Sequence, residues 1–219
     1  MIGVNHCDSD GNSKLEKLLN ELSPTLILVE GSISKEKAQA HYLSALKKEI
    51  ILRELNPDMA SILVAEQELK GFEIRTARRY CENKGLHPPS YFEDEIEARG
   101  EDEIKRIVAE STEYIAKSPE VLAARRRLDV FNQNIKALYQ LASEQINSPH
   151  MVRSFPFLSL RHIGLKDTKM EEKLREVSEE NPDAKIVTVT GLKHILETGT
   201  GNSFYDRIKD LNPERRFLY

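Results

Sequence analysis

Three shortages narrow what this chain of 219 residues can be. It has only two cysteines, Cys7 and Cys81, too few for a disulfide framework or a cysteine-rich zinc module. No apolar run approaches the length of a membrane span, and no leader peptide opens the chain, so the expected setting is the reducing cytoplasm, away from any membrane. Basic charge is in short supply too. Lys and Arg number 32 against 36 Asp and Glu, a net charge of −4, so no global field draws the protein onto nucleic acid. Arg125 to Arg127 do not repair this, because three adjacent helical residues point in different directions and form no stripe. Repeats and low-complexity tracts are also missing. What remains is a chain 39% hydrophobic and 31% charged, sized for one domain carrying an insertion.

The pattern of apolar runs assigns the class. Met1 to Val4 is a short apolar start that stops in the turn formers Asn5 to Asn12. Ser13 and Glu16 have capping-box spacing, and Leu15, Leu18, Leu19 and Leu22 then share a helical face. Pro24 closes that helix. Thr25 to Val29 is continuously apolar, as expected of a parallel strand covered on both faces, and Glu30-Gly31 ends it. Strand, helix and strand within thirty residues make a βαβ unit, so the chain is α/β with a mostly parallel sheet and flanking helices. Residues 35–55 and 57–70 read as helices, Phe72 to Thr76 as a third strand, Thr168 to Glu180 as a helix, Ala184 to Thr190 as a β-branched strand, and Arg216 to Tyr219 as an edge strand. From about 91 to 150 the chain is helical and highly charged. That stretch reads as an insertion or cap, expected to carry specificity over the cleft or to pair two subunits as a homodimer.

One local pattern occurs twice: a strand followed by Gly-x-x-His, as Gly3-Val4-Asn5-His6 and as Gly191-Leu192-Lys193-His194. With 10 Gly and 6 His in the chain, random order yields roughly 0.27 such pairs. Both histidines follow the carboxyl end of a strand, where open α/β sheets gather ligands. Gly3 and Gly191 would let the backbone turn sharply or approach a ligand. Glu30 ends another strand and should emerge on the same edge. His6, Glu30 and His194 are thus a sufficient set of ligands for a divalent metal such as Mn, Co or Zn, with Glu30 as ligand or general base. The bland alternative has the histidines bonding loop carbonyls and Glu30 capping the next helix.

These residues resemble the TraB and PrgY family, with the Tiki proteases, GumN-like proteins, erythromycin esterases and haem-binding ChaN proteins as more distant relatives. Gly3, His6, Glu30, Gly191 and His194 match its motif positions. Lys166-Asp167-Thr168-Lys169-Met170-Glu171-Glu172-Lys173 is similar to the family's Arg-Asp-x-x-Met-x-x-Lys helix start, with Lys166 in place of Arg. The resemblance covers both ends and is silent on residues 35 to 160. It implies an erythromycin esterase or Tiki-like α/β core with a helical insertion and, in the Tiki branch, a metal-dependent peptidase.

The expectation is therefore a metal-dependent hydrolase of an amide or ester in a peptide or small molecule, with Arg75 or Lys166 orienting substrate. The alternative is a non-enzymatic binding or regulatory protein holding a peptide, haem or another ligand. Cys7 beside His6, Arg78 and Arg79, the pair Arg161-His162 and the loop Gly199 to Ser203 are weaker candidates. His41, His87 and His150 read as structural or surface residues.

Overall fold

The structure is a computed structural model that describes residues 1–6, 8–93, 100–116, 135–140, 142–144, 164–198 and 201–218. Its elements follow the chain as β1 (Ile2–Val4), α1 (Gly11–Leu22), β2 (Leu26–Val29), α2 (Ile33–Leu52), α3 (Pro57–Leu69), α4 (Phe72–Lys84), β3 (Ser90–Tyr91), α5 (Glu101–Ala116), α6 (Leu165–Glu180), β4 (Ile186–Gly191), a 3-10 turn (Leu192–Ile195), α7 (Phe204–Arg207), a second 3-10 turn (Lys209–Leu211) and β5 (Arg216–Phe217). The five strands form one sheet in the order β3-β2-β4-β1-β5, and every pairing is parallel. The class is α/β, as the apolar runs imply. The first βαβ unit is split, because β4 returns between β1 and β2 and pairs with both.

Alternation along the strands sends side chains into two cores. Ile2, Val4, Ile27, Val29, Val187 and Val189 face Leu15 and Leu19 of α1 and Phe72, Ala77 and Tyr80 of α4. Leu28 faces the other way, against Met170, Leu174 and Val177 of α6 and Phe204 of α7. The sheet is thereby covered on both faces, which is why its strands read as unbroken apolar runs. A third cluster, with Leu46 of α2 and Ile104 and Val108 of α5 buried, sits in a helical lobe of its own.

Two sequence expectations need correction. Phe72 to Thr76 is the first part of helix α4, not a strand. Its apolar and polar residues do alternate, but Phe72, Thr76, Ala77, Tyr80 and Cys81 are all buried, a helical face laid against α1. The third strand is instead Ser90–Tyr91, two residues directly after Pro88 and Pro89. Helix α1 begins at Gly11 rather than after a Ser13 cap; Ser13 Oγ donates to the Asp10 carbonyl at 2.9 Å. The earlier start packs Gly11 against the Phe72 ring, where a Cβ would lie 2.4 Å from the ring edge. The described residues of 91–150 fall in two places. Helix α5 packs on α2 in the lobe, whereas Ile135, Tyr139 and Ala142 are buried in the main core, and Tyr139 accepts the Asn5 amide at 2.6 Å. Cys7, Arg125 to Arg127, His150, Arg161-His162 and residues 199–200 lie outside the described residues.

Candidate functional site

Three neighbouring strands, β2, β4 and β1, deliver the motif residues to the carboxyl edge of the sheet. Glu30 directly follows β2, and its amide still donates to the Val189 carbonyl at 2.9 Å, so the ladder fixes its position. Gly191 ends β4, and the 3-10 turn after it carries His194 back beneath the edge. His6 follows β1 after one residue. The edge thus brings together His6, Glu30, Gly191 and His194, as the sequence spacing predicts.

The histidines are held alike. His194 Nδ1 lies 2.8 Å from Asp167 Oδ1, with both side chains fully buried. His6 Nδ1 lies 2.8 Å from Glu73 Oε1, with the imidazole 44% exposed and Glu73 buried. An ionised carboxylate only accepts, so each Nδ1 carries the proton and each Nε2 is turned away from its partner. Both Nε2 atoms face Glu30: His194 Nε2 stands 3.5 Å from Oε1 and His6 Nε2 3.8 Å from Oε2. His194 Nε2 is buried without a hydrogen-bond partner.

Glu30 is engaged by two further groups. Lys166 Nζ sits 2.5 Å from Oε1, and the Gly191 amide donates to Oε2 at 2.5 Å. Lys166 also pairs with Glu93 Oε1 at 2.7 Å, and Lys35 pairs with the other Glu93 oxygen. Glu93 reaches this place because the β2–β3 ladder continues past the strand end, the Phe92 and Glu93 amides donating to the Val29 and Gly31 carbonyls. Asp167 is a junction. Besides holding His194, it accepts the Phe204 amide at 2.6 Å and reaches back to the Gly164 amide at 3.0 Å, fixing the starts of α7 and α6.

These contacts set the protonation states. Burial works against charge on Glu30, yet His194, His6 and Lys166 hold its carboxyl well below the usual range. Burial likewise opposes ionised Asp167, but His194 and the two amides keep its pKa low. Both imidazoles are raised against the pull of burial, His194 by Asp167 and Glu30, and His6 by Glu73 and Glu30. Burial lowers Lys166, and Glu30 and Glu93 outweigh it and raise the ammonium.

The two motif glycines have different duties. A Cβ on Gly191 would lie 2.9 Å from His6 Nε2, 3.2 Å from Glu30 Oε2 and 3.6 Å from His194 Cδ2, so the absent side chain is the space on which the three residues converge. A Cβ on Gly3 would instead meet Ile195 Cδ1 at 2.3 Å, so its missing side chain makes room for packing in the core.

The site opens into a cleft of about 610 Å³ whose walls come from α2, α3 and α4: Lys35, Gln39, Ala40 and Leu43 on one side, Gln67, Lys70, Ile74 and Arg75 on the other. Of residues 91–150, only Glu93 lines it among the described residues. Helices α2, α3 and α4 supply most of the described lining, and Lys166 of α6 completes it. Arg75 lines the cleft, but as a residue of α4 rather than at a strand end, and its guanidinium is already used. It donates to the Lys70 carbonyl at 2.7 Å and to the Glu68 carbonyl, closing the end of α3. Arg78 is similarly occupied, by Glu36 and the Tyr91 hydroxyl.

Sequence reasoning did not name Glu73, Glu93 or Asp167 as site residues. Asp167 stood inside the matched helix-start motif, which was its one available signal. Glu73 was hidden by the strand assignment, and Glu93 by a run of neighbouring acids.

Among the described residues, no group of three or more His, Cys, Asp and Glu side chains stands assembled around a common metal position. Lys166 and Gly191 occupy the two Glu30 oxygens that face the imidazoles. Two imidazoles present Nε2 atoms backed by carboxylates, the usual outer support of metal-bound histidine, and one of those atoms is a buried orphan. No described helix is long and apolar enough to cross a membrane. Compared with family models, curated proteins and solved structures, the chain gives no match.

Proposed function

We propose that this protein is a hydrolase of an amide or ester bond, acting on a peptide or small molecule, with His6, Glu30 and His194 holding a divalent metal at the floor of the cleft. The observation that carries this reading is the pair of carboxylate-backed imidazoles whose Nε2 atoms turn toward one shared carboxylate. Glu30, Glu73, Glu93 and Asp167 put four carboxylates into one contact network with the two imidazoles and two ammonium groups, Lys35 and Lys166. A divalent ion held there would lower the pKa of a bound water and polarise the scissile carbonyl.

The protein's own groups take distinct parts. Asp167 and Glu73 fix each imidazole with its proton on Nδ1, leaving Nε2 as a donor. Glu30 suits a ligand better than a general base, because a carboxyl held well below the usual range is a weak proton acceptor. His6, 44% exposed and lining the cleft, is the ligand of the three most open to an incoming substrate. Lys166 and Glu93 line the cleft together with Glu30.

The test is metal content of the purified protein by elemental mass spectrometry, compared with the His6→Ala, Glu30→Ala and His194→Ala variants. The expected result is near-stoichiometric metal that each variant loses, followed by turnover of peptide or ester libraries with that metal. A wild-type protein that takes up neither manganese, cobalt nor zinc overturns the reading and favours a binding role for the cleft.

A further inference from the structure

We infer that Lys166 is the internal cation that a metal must displace from Glu30, and that Glu93 sets how readily it leaves; this rests on the metal reading above. Glu30 is only 8% exposed, so its charge must be balanced from within. Lys166 Nζ supplies that balance at 2.5 Å from Oε1, the oxygen that His194 Nε2 faces at 3.5 Å. A metal bound between His194 and Glu30 would need the same oxygen, and two cations repel at that range.

The surroundings give the ammonium somewhere to go. Glu93 Oε1 already lies 2.7 Å from Nζ, on the cleft side of Glu30. Lys166 is in the first turn of α6, whose backbone is pinned by its neighbour Asp167 through the Gly164 amide. Only the flexible stem has to move, and a lysine is a compact charge on such a stem. Release therefore exchanges one carboxylate partner for fuller contact with another and leaves no buried charge unpaired.

The experiment is isothermal titration of chelator-stripped, full-length protein with Zn²⁺ and, separately, Mn²⁺. Wild type, Lys166→Met, Glu93→Gln and the double variant are compared, with circular dichroism and thermal melting to check folding; Lys166→Gln replaces a Lys166→Met protein that fails to fold. Lys166→Met should bind at least about tenfold more tightly, and Glu93→Gln about tenfold more weakly, the scale of effects from groups that support metal ligands. A simple field effect would give the same two signs, so the double variant decides. If Glu93 acts through Lys166, Glu93→Gln changes affinity less than about twofold once Lys166 is methionine. Additive effects, or a Lys166→Met protein that binds no more tightly than wild type, overturn the inference and leave the metal site standing. Absence of binding in all four proteins overturns the metal reading and the inference with it.

Discussion

The two Gly-x-x-His corners share a sequence pattern and differ in almost everything else. The β4 corner is foundation: His194 is fully buried, its Asp167 partner is fully buried, and that carboxylate also ties down the starts of α6 and α7. The β1 corner faces the cleft, with His6 44% exposed in its lining and Glu73 supplied by α4. The glycines divide the opposite way, Gly191 of the buried corner leaving room for the site and Gly3 of the more exposed corner leaving room for Ile195. A repeated motif thus marks where a site lies without saying which copy is buried beneath it and which faces the cleft.

The sharpest way to break this comparison is to remove the two backing carboxylates. Asp167→Ala should destabilise the fold by about 3 to 5 kcal/mol, because it strands a buried imidazole and two amides. Glu73→Gln should cost about 1 kcal/mol or less, because its half-exposed histidine can turn to water. Equal losses in denaturant titrations would mean that the corners are equivalent. Next in size is the glycine pair. Gly3→Ala presses on Ile195 inside the core and should cost about 1 to 3 kcal/mol by overpacking. Gly191→Ala should cost less, since the His6 ring can swing aside, yet it should reduce turnover about a hundredfold by displacing the site. A Gly191→Ala protein with full activity would remove the cradle from the argument.

Why the sequence conveyed one corner better than the other follows from the kind of signal each uses. Strands β1, β2 and β4 are short apolar runs covered on both sides, and such runs are local. The edge that gathers His6, Glu30 and His194 follows from strand direction alone, so those residues were legible. Glu73 and Asp167 were not, because each meets its histidine across 67 and 27 residues of chain, a distance no periodicity spans. The strand assigned to Phe72–Thr76 failed for a different reason. Five residues of alternation fit either period, and only the burial of Ala77, Tyr80 and Cys81 farther along decides for a helix. Ser90–Tyr91, with two residues after two prolines, carries almost no strand signal at all.

A pH profile sharpens the comparison further. Asp167 and Glu30 have folded pKa values below their ordinary 3.8 and 4.5, so their contribution is present above those values and is lost as acid protonates them. His194 and His6 are raised above 6.5, so their contribution is complete below that pH and fades as pH climbs through the folded value. The chelator-stripped protein should therefore melt highest between about pH 4.5 and 6.5 and decline on both sides. His6→Ala should keep most of the alkaline decline, whereas His194→Ala should flatten it. The reverse assignment would make His6 the buried anchor and contradict its exposure.

The smallest effect concerns Arg75, where sequence and structure give opposite answers. Placed at a strand end, its guanidinium would be free to take a substrate carboxylate. Placed in α4, it donates to the Lys70 and Glu68 carbonyls beside Gly71, whose φ of 68° turns the chain from α3 into α4. Those bonds are solvent-accessible, so Arg75→Ala should lower stability by about 0.5 to 1 kcal/mol and leave KM unchanged. An increase in KM of about tenfold with no loss of stability would mean that the guanidinium leaves the end of α3 when substrate arrives. The cleft wall formed by α3 and α4 would then respond to substrate on the side that His6 faces, and the contrast between the two corners would extend to the helices packed around them.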